Sequence, residues 1–269
     1  MQLRVGFSAD PDDAFMMWAL DAGRVDTRGF SVEPVVSDIQ TLNEWALEGR
    51  LEVTPFSSAA YAQVADRYRL LTHGASFGEG YGPMVVAREP LTLDELRRTE
   101  IAIPGRLTTA YLGLRLALGT DDLLVRELPF DQVLPEVVEG RAVAGLIIHE
   151  GQLTYEEHGL VKILDTGEWW QAETGLPLPL SLVAVRRDVD RAEDVSAVLR
   201  DAIRTGLAHR EEAMRYALEF GRGIDAKTAD EFVGMYVNDL TQDMGDRGKA
   251  AVAEILRRVG SPVQPEFVD

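Results

Sequence analysis

The chain contains no cysteine and only four histidines. Disulfides, thiolate metal sites and a cysteine nucleophile are therefore excluded. No apolar run reaches the ~18 residues that a membrane span needs, so no membrane insertion is expected. Basic residues are scarce, with 27 Lys and Arg against 45 Asp and Glu, for a net charge of −18. A field of that sign repels nucleic acid and anionic membranes. Low-complexity tracts and internal repeats are also missing, so neither disorder nor a solenoid is expected. The opening MQLRVGFSAD has no basic segment leading into a long apolar stretch. That points to the cytoplasm rather than to export.

What is present is an ordinary apolar fraction, 46% of 269 residues. This is enough for one large domain or two modest ones with real cores. Leu3 to Phe7 alternates as a strand does, and Ala14 to Leu20 reads as a helix with Asp12 and Asp13 suited to its first turn. Ser31–Val36, Leu51–Val53, Tyr68–Thr72 and Pro83–Arg88 are further strands. Ile39–Glu48, ended by Gly49, is a helix, and Ser57 or Ser58 caps another through Val64. This β-α order predicts a mostly parallel sheet.

A second α/β region follows, with strands near 100–103, 123–128, 144–148, 161–164 and 180–185. Four helical stretches, 193–207, 209–220, 227–239 and 246–259, close the chain. The expectation is an α/β, two-lobed, periplasmic-binding-protein-like fold (type II) with a ligand cleft between lobes. One lobe is 1–88 with 186–269, and the other is 89–185. Lobe interfaces and the carboxyl ends of strands favour pockets, so a small molecule is the expected partner. A homodimer is compatible with the composition.

Three strand-to-helix junctions carry hydroxyls or carboxylates: Ser8-Ala9-Asp10-Pro11-Asp12-Asp13, Thr54-Pro55-Phe56-Ser57-Ser58 and Pro104-Gly105-Arg106-Leu107-Thr108-Thr109. Helix starts attract polar ligand atoms, and plain capping uses the same residue types. The third junction offers Arg106 with Thr108 and Thr109 and has no acid nearby, so it is the best anion site. The acidic first junction suits ligand hydroxyls.

His149 follows the apolar strand Gly145-Leu146-Ile147-Ile148. Ligands bind at such strand ends, and imidazole titrates near neutrality, so His149 is a candidate general base. A structural histidine at a strand end is the alternative. His73, His158 and His209 are weaker candidates, and no spacing matches a zinc site. The Gly78–Pro83 stretch reads as a flexible turn rather than a nucleotide loop. Trp169-Trp170, beside the loop Thr174–Pro179, could wall an aromatic ligand or pack on its own lobe.

Six segments in order, together with Tyr236-Val237-Asn238, carry a resemblance. They are Phe7-Ser8 through Phe15, Thr41-Leu42-Asn43 through Leu51, Ser57 through Val64, Pro104-Gly105-Arg106 through Tyr111, Gly145 through Glu150, and Trp169-Trp170 through Pro179. The chain resembles the 1,4-dihydroxy-6-naphthoate synthase family of the futalosine route to menaquinone. The resemblance implies a cytoplasmic lyase without a cofactor or metal. Its substrate would be cyclic dehypoxanthinyl futalosine, split into 1,4-dihydroxy-6-naphthoate and a sugar-derived fragment. It also implies His149 as general base, with substrate contacts from the segment Pro55-Phe56-Ser57 and from Thr108 and Thr109; Ser8, Asp13 and Arg106 are further candidate contacts, from the chemistry of their junctions.

Two departures stand out. Where the family usually has Ser-Pro-Cys-Pro-Asn-Asp-Thr, this chain has Ser8 through Ala14 with two extra acids. Where it usually has Lys-Leu-Ser, this chain has Pro55-Phe56-Ser57. Both predict a more acidic, more aromatic lining. Two other functions share the fold: a non-catalytic small-molecule binding protein, and chorismate dehydratase, against which His149-Glu150 argues.

Overall fold

The computed structural model describes residues 1–269. Strands β1 (Gln2–Ser8), β2 (Ser31–Ser37), β3 (Val53–Ser57), β4 (Tyr68–Leu71) and β5 (Ser76–Gly78) alternate with helices α1 (Pro11–Asp21), α2 (Ile39–Glu48) and α3 (Tyr61–Val64). The middle of the chain holds β6 (Met84–Ala87), α4 (Leu93–Leu96), β7 (Ile101–Ile103), α5 (Thr109–Leu118), β8 (Val125–Glu127) and α6 (Phe130–Val138). It continues through β9 (Ala144–Ile147), α7 (Gly151–Thr154), β10 (Val161–Asp165) and α8 (Thr166–Thr174). After β11 (Leu178–Arg186) come α9 (Ala192–Ala208), α10 (Arg210–Leu218), α11 (Ala226–Tyr236), α12 (Asp239–Gln242) and α13 (Gly245–Arg258), then β12 (Phe267–Val268). No helix is long and apolar enough to cross a membrane.

The chain forms two compact units, Met1–Phe77 with Pro179–Asp269, and Gly78–Leu178. The first is built on a sheet in the order β12-β4-β11-β3-β1-β2, with β5 paired to β11. Leu3, Val5 and Phe7 of β1 share a core with the buried faces of α1, α9, α10 and α11. α1 is buried on all sides from Pro11 to Leu20, which is why its sequence shows no polar stripe.

The second unit has the order β10-β6-β9-β7-β8. Its strands alternate with period two. Val85, Ala87, Ile101, Ile103 and Leu146 pack on α5, and Met84, Val86, Ala102 and Ile147 face α6. Each fully buried aliphatic side chain contributes about 1.5–3 kcal/mol of transfer free energy.

Two expectations are corrected. The sheets are mixed, because β11 runs antiparallel to β3 and β4, and β6 antiparallel to β9 and β10. Each follows a passage of the chain from the other unit, so no βαβ crossover imposes a parallel direction. The same strands shift the boundaries expected at 88/89 and 185/186. β6 belongs to the second sheet and β11 to the first, so the units divide at 77/78 and 178/179. Apolar runs buried on both faces carry no sign of which sheet they join.

The Gly78–Pro83 turn is dense rather than open. A Cβ on Gly78 would lie 2.0 Å from the Tyr81 carbonyl oxygen, and one on Gly167 equally close to the same atom.

Candidate functional site

In the first unit, β2 and β3 both pair parallel to β1, with Val5 opposite Val53, so Ser8 and Ser57 leave the sheet at the same edge. The β1–α1 junction is folded on its own acids. The Ser8 backbone N–H donates to Asp13 at 2.7 Å, and the Ser8 hydroxyl to Asp10 at 2.5 Å. Asp10, Asp12 and Asp13 are all buried. Burial pushes Asp13 up to about 6, against the pull of the Ser8 donors and with the help of Asp10. Asp12 is raised well above the carboxylate range, first by burial and then by Asp13 and Asp10.

Asp10 is not an open negative charge. Arg222 donates through Nη2 to its carboxylate at 3.0 Å, and through Nη1 to the Ala9 carbonyl. The more acidic lining expected here is thus offset by a cation from the helical return. Nothing in the local sequence announces Arg222 except its place between Gly221 and Gly223.

At the end of β3, Asn43 donates to the Ser57 hydroxyl at 3.0 Å and accepts the Ser57 N–H at 2.7 Å. Neither Ser57 nor Ser58 caps a helix through its side chain, contrary to expectation. Ser57 is committed to Asn43, and the Ser58 hydroxyl donates to the Pro179 carbonyl at 2.6 Å. Asn43 lies one turn inside α2 and is fully buried. The available signal was its place beside Leu42 on the face of α2 that also carries Ala46.

The Phe56 ring does not supply an aromatic wall. It is fully buried and stacks on Tyr61, with centroids 6.1 Å apart. Strand alternation turns Pro55 to the other face of β3. There Pro55 lines a small, mostly apolar pocket with Asp13, Met17, His73 and Val183 among its walls. His73 is held by the Gln242 carbonyl at 2.6 Å, and burial lowers its pKa.

In the second unit, β7 and β9 are adjacent and parallel, with Ile101 opposite Ala144. The Pro104–Thr109 junction and His149 therefore leave the sheet at the same edge. The Thr108 hydroxyl caps α5, accepting from Tyr111 N–H at 3.1 Å and donating to the Gly105 carbonyl at 2.8 Å. Thr109 is the first residue of α5 and is buried.

An acid does approach this junction. Arg106 is held by Glu127 at 2.7 Å, because β8 pairs parallel to β7 and sets Glu127 opposite Ile103. That neighbour, far off in sequence, corrects the expectation of an acid-free anion site. Half of the Arg106 side chain remains exposed.

His149 has a φ of +61°, in the left-handed region. This region is uncommon for residues other than glycine, and such backbone outliers concentrate at functional positions. The ring packs edge-on against Phe130, centroids 4.5 Å apart, and its Nε2 atom is buried. The bend after β9 thus aims a confined imidazole from the sheet edge that also carries the α5 start. Trp170 is fully buried and donates to the Pro177 carbonyl at 3.1 Å, so its ring packs on its own unit. No group of three His, Asp or Glu side chains is arranged to hold a metal ion.

The family described as menaquinone biosynthesis matches residues 3–261. A Thermus thermophilus protein named 1,4-dihydroxy-6-naphthoate synthase is 45% identical over 259 residues, covering 94% of this chain and 92% of that protein. A Streptomyces coelicolor protein of the same name is 34% identical over 267 residues, covering 96% and 93%. A solved structure from Archaeoglobus fulgidus is 41% identical with a TM-score of 0.89, covering 96% of this chain and 98% of that one. A Candida albicans protein described as having the generic periplasmic-binding-protein fold is 14% identical with a TM-score of 0.67, covering 100% and 98%. That likeness shows the fold alone. On its near full-length match, this α/β chain of periplasmic-binding-protein-like fold belongs to the menaquinone biosynthesis family.

Proposed function

We propose that this chain is a carbon–carbon lyase that converts cyclic dehypoxanthinyl futalosine to 1,4-dihydroxy-6-naphthoate, with His149 as general base. The observation that carries the proposal is the 45% identity, over nearly all of both chains, to a protein named for that product. The names of both relatives favour the enzyme over a binding protein or a dehydratase.

The geometry supports a role for each candidate. His149 is confined by its left-handed backbone and by Phe130, so its free energy of orientation is largely met before substrate arrives. Imidazole can serve as a general base, and proton removal by His149 would begin breakdown of the cyclised sugar. The α5 start, with Thr109 and the backbone N–H groups that Thr108 aligns, suits the substrate carboxylate. Ser8, Asp13, Pro55 and Ser57 of the first unit are further proposed substrate contacts. Arg106, tied to Glu127, and Phe56, turned into the core, have the weaker claim to contact. The cytoplasm is the compartment this activity calls for.

Incubating the purified protein with cyclic dehypoxanthinyl futalosine, and reading the mixture by mass for 1,4-dihydroxy-6-naphthoate, tests the proposal. Product formation is expected. Substrate that binds and returns unchanged would favour a binding protein instead.

A further inference from the structure

Arg222 reaches the β1–α1 junction from 212 residues away. It sits between α10 and α11 with a φ of +50°, and Gly223 follows at +90°. A left-handed arginine is costly and persists only where its surroundings hold it. Phe220 anchors the turn, its ring packed against Phe7 of β1 with centroids 5.7 Å apart. The guanidinium then forks onto the Ala9 carbonyl and the Asp10 carboxylate.

Asp10 is 1% exposed. A carboxylate buried that deeply needs a cation or hydrogen-bond donors to satisfy its oxygens. Arg222 and the Ser8 hydroxyl do so on its two oxygens. The consequence falls on Ser8. The Ser8 hydroxyl donates to Asp10, so its proton points there and its oxygen is left to accept a hydrogen bond from a ligand. Other donors of the junction are also spent. The Ser8 N–H is taken by Asp13, the Ala9 N–H by the Ser37 carbonyl, and the Ala14 N–H by the Asp10 carbonyl.

We propose that Arg222 is a positioning residue for substrate: by pairing with Asp10 it orients the Ser8 hydroxyl as a hydrogen-bond acceptor for a hydroxyl of the sugar-derived half. This rests on the proposal that Ser8 touches the substrate.

Steady-state kinetics on Arg222→Lys, Ser8→Ala and the double variant test it. Lysine keeps the charge but cannot fork onto both oxygens. Each single change should raise KM roughly tenfold, with kcat within about threefold. The double variant should have a KM no higher than the worse single, because both act through one hydroxyl. KM effects that multiply in the double variant would overturn the inference, as would a fall in kcat at unchanged KM, the sign of a merely structural role. If Arg222→Lys does not fold, Asp10→Asn carries the test. Its amide can donate to Ser8 and reverse the hydroxyl, so KM should rise roughly tenfold, and an unchanged KM overturns the inference. Wild-type protein that never turns over the substrate sinks the proposed function, and this inference with it. Wild-type turnover with unshifted KM in the variants sinks the inference alone.

Discussion

Asn43 and Ser57 exchange two hydrogen bonds, amide to hydroxyl at 3.0 Å and backbone N–H to amide oxygen at 2.7 Å. All four atoms are buried, so neither residue can turn to water if the other is removed. Asn43→Ala should cost about 1–3 kcal/mol, the penalty of leaving buried polar groups unsatisfied. The shift in urea midpoint measures it. A change near zero would mean that Ser57 has another partner to turn to.

Stability should depend on pH through Asp13. Its folded pKa is raised to about 6 from an ordinary 3.8, so the folded state holds the proton more tightly. The folded state therefore loses stability as pH rises between those values, and Asp12 acts in the same sense. Glu52 has the opposite sign: its pKa is lowered to about 2, through the Arg4 side chain and N–H acting against burial. Its contribution is present above 4.5 and is lost as pH falls toward 2. Melting temperature should rise as pH falls from 7 to about 5, and Asp13→Asn should flatten that slope. A wild-type slope of the other sign in that window would contradict the assignment.

Gly78 has no room for a side chain, with a built Cβ only 2.0 Å from the Tyr81 carbonyl oxygen. The obstacle is backbone, so it cannot swing aside. Gly78→Ala should destabilise by about 1–3 kcal/mol, the usual cost of overpacking, read from denaturant unfolding.

The Arg106–Glu127 pair is half exposed on both sides. Glu127→Gln should change stability by less than about 1 kcal/mol. Arg106→Ala should leave KM within about threefold. A tenfold rise in KM would show that Arg106 leaves Glu127 for the substrate.

Local pattern made much of this fold legible. β1 follows from its alternation, the α2 stop from Gly49, and the four C-terminal helical stretches from their apolar stripes. His149 was findable because an apolar strand ends just before it. What escaped depends on pairing between distant segments. Glu127 reaches Arg106 through the β7–β8 register. Asp10 meets Arg222 across most of the chain. Phe56 turns inward because β3 is buried on both faces, and a strand buried on both faces has no polar side to mark its orientation. The acidic look of the first junction was accurate in composition and misleading in charge, since the compensating cation lies 212 residues on.

The central claim is that His149 is the base of a lyase, and its backbone dictates the variant to use. At a φ of +61°, alanine would add strain, whereas asparagine tolerates the left-handed region and lacks a titrating ring. The measurement is the initial rate of 1,4-dihydroxy-6-naphthoate formation from cyclic dehypoxanthinyl futalosine, wild type against His149→Asn. A fall of ~10²–10⁴ in kcat with an unchanged melting temperature is predicted. Turnover by His149→Asn at the wild-type rate would contradict the account.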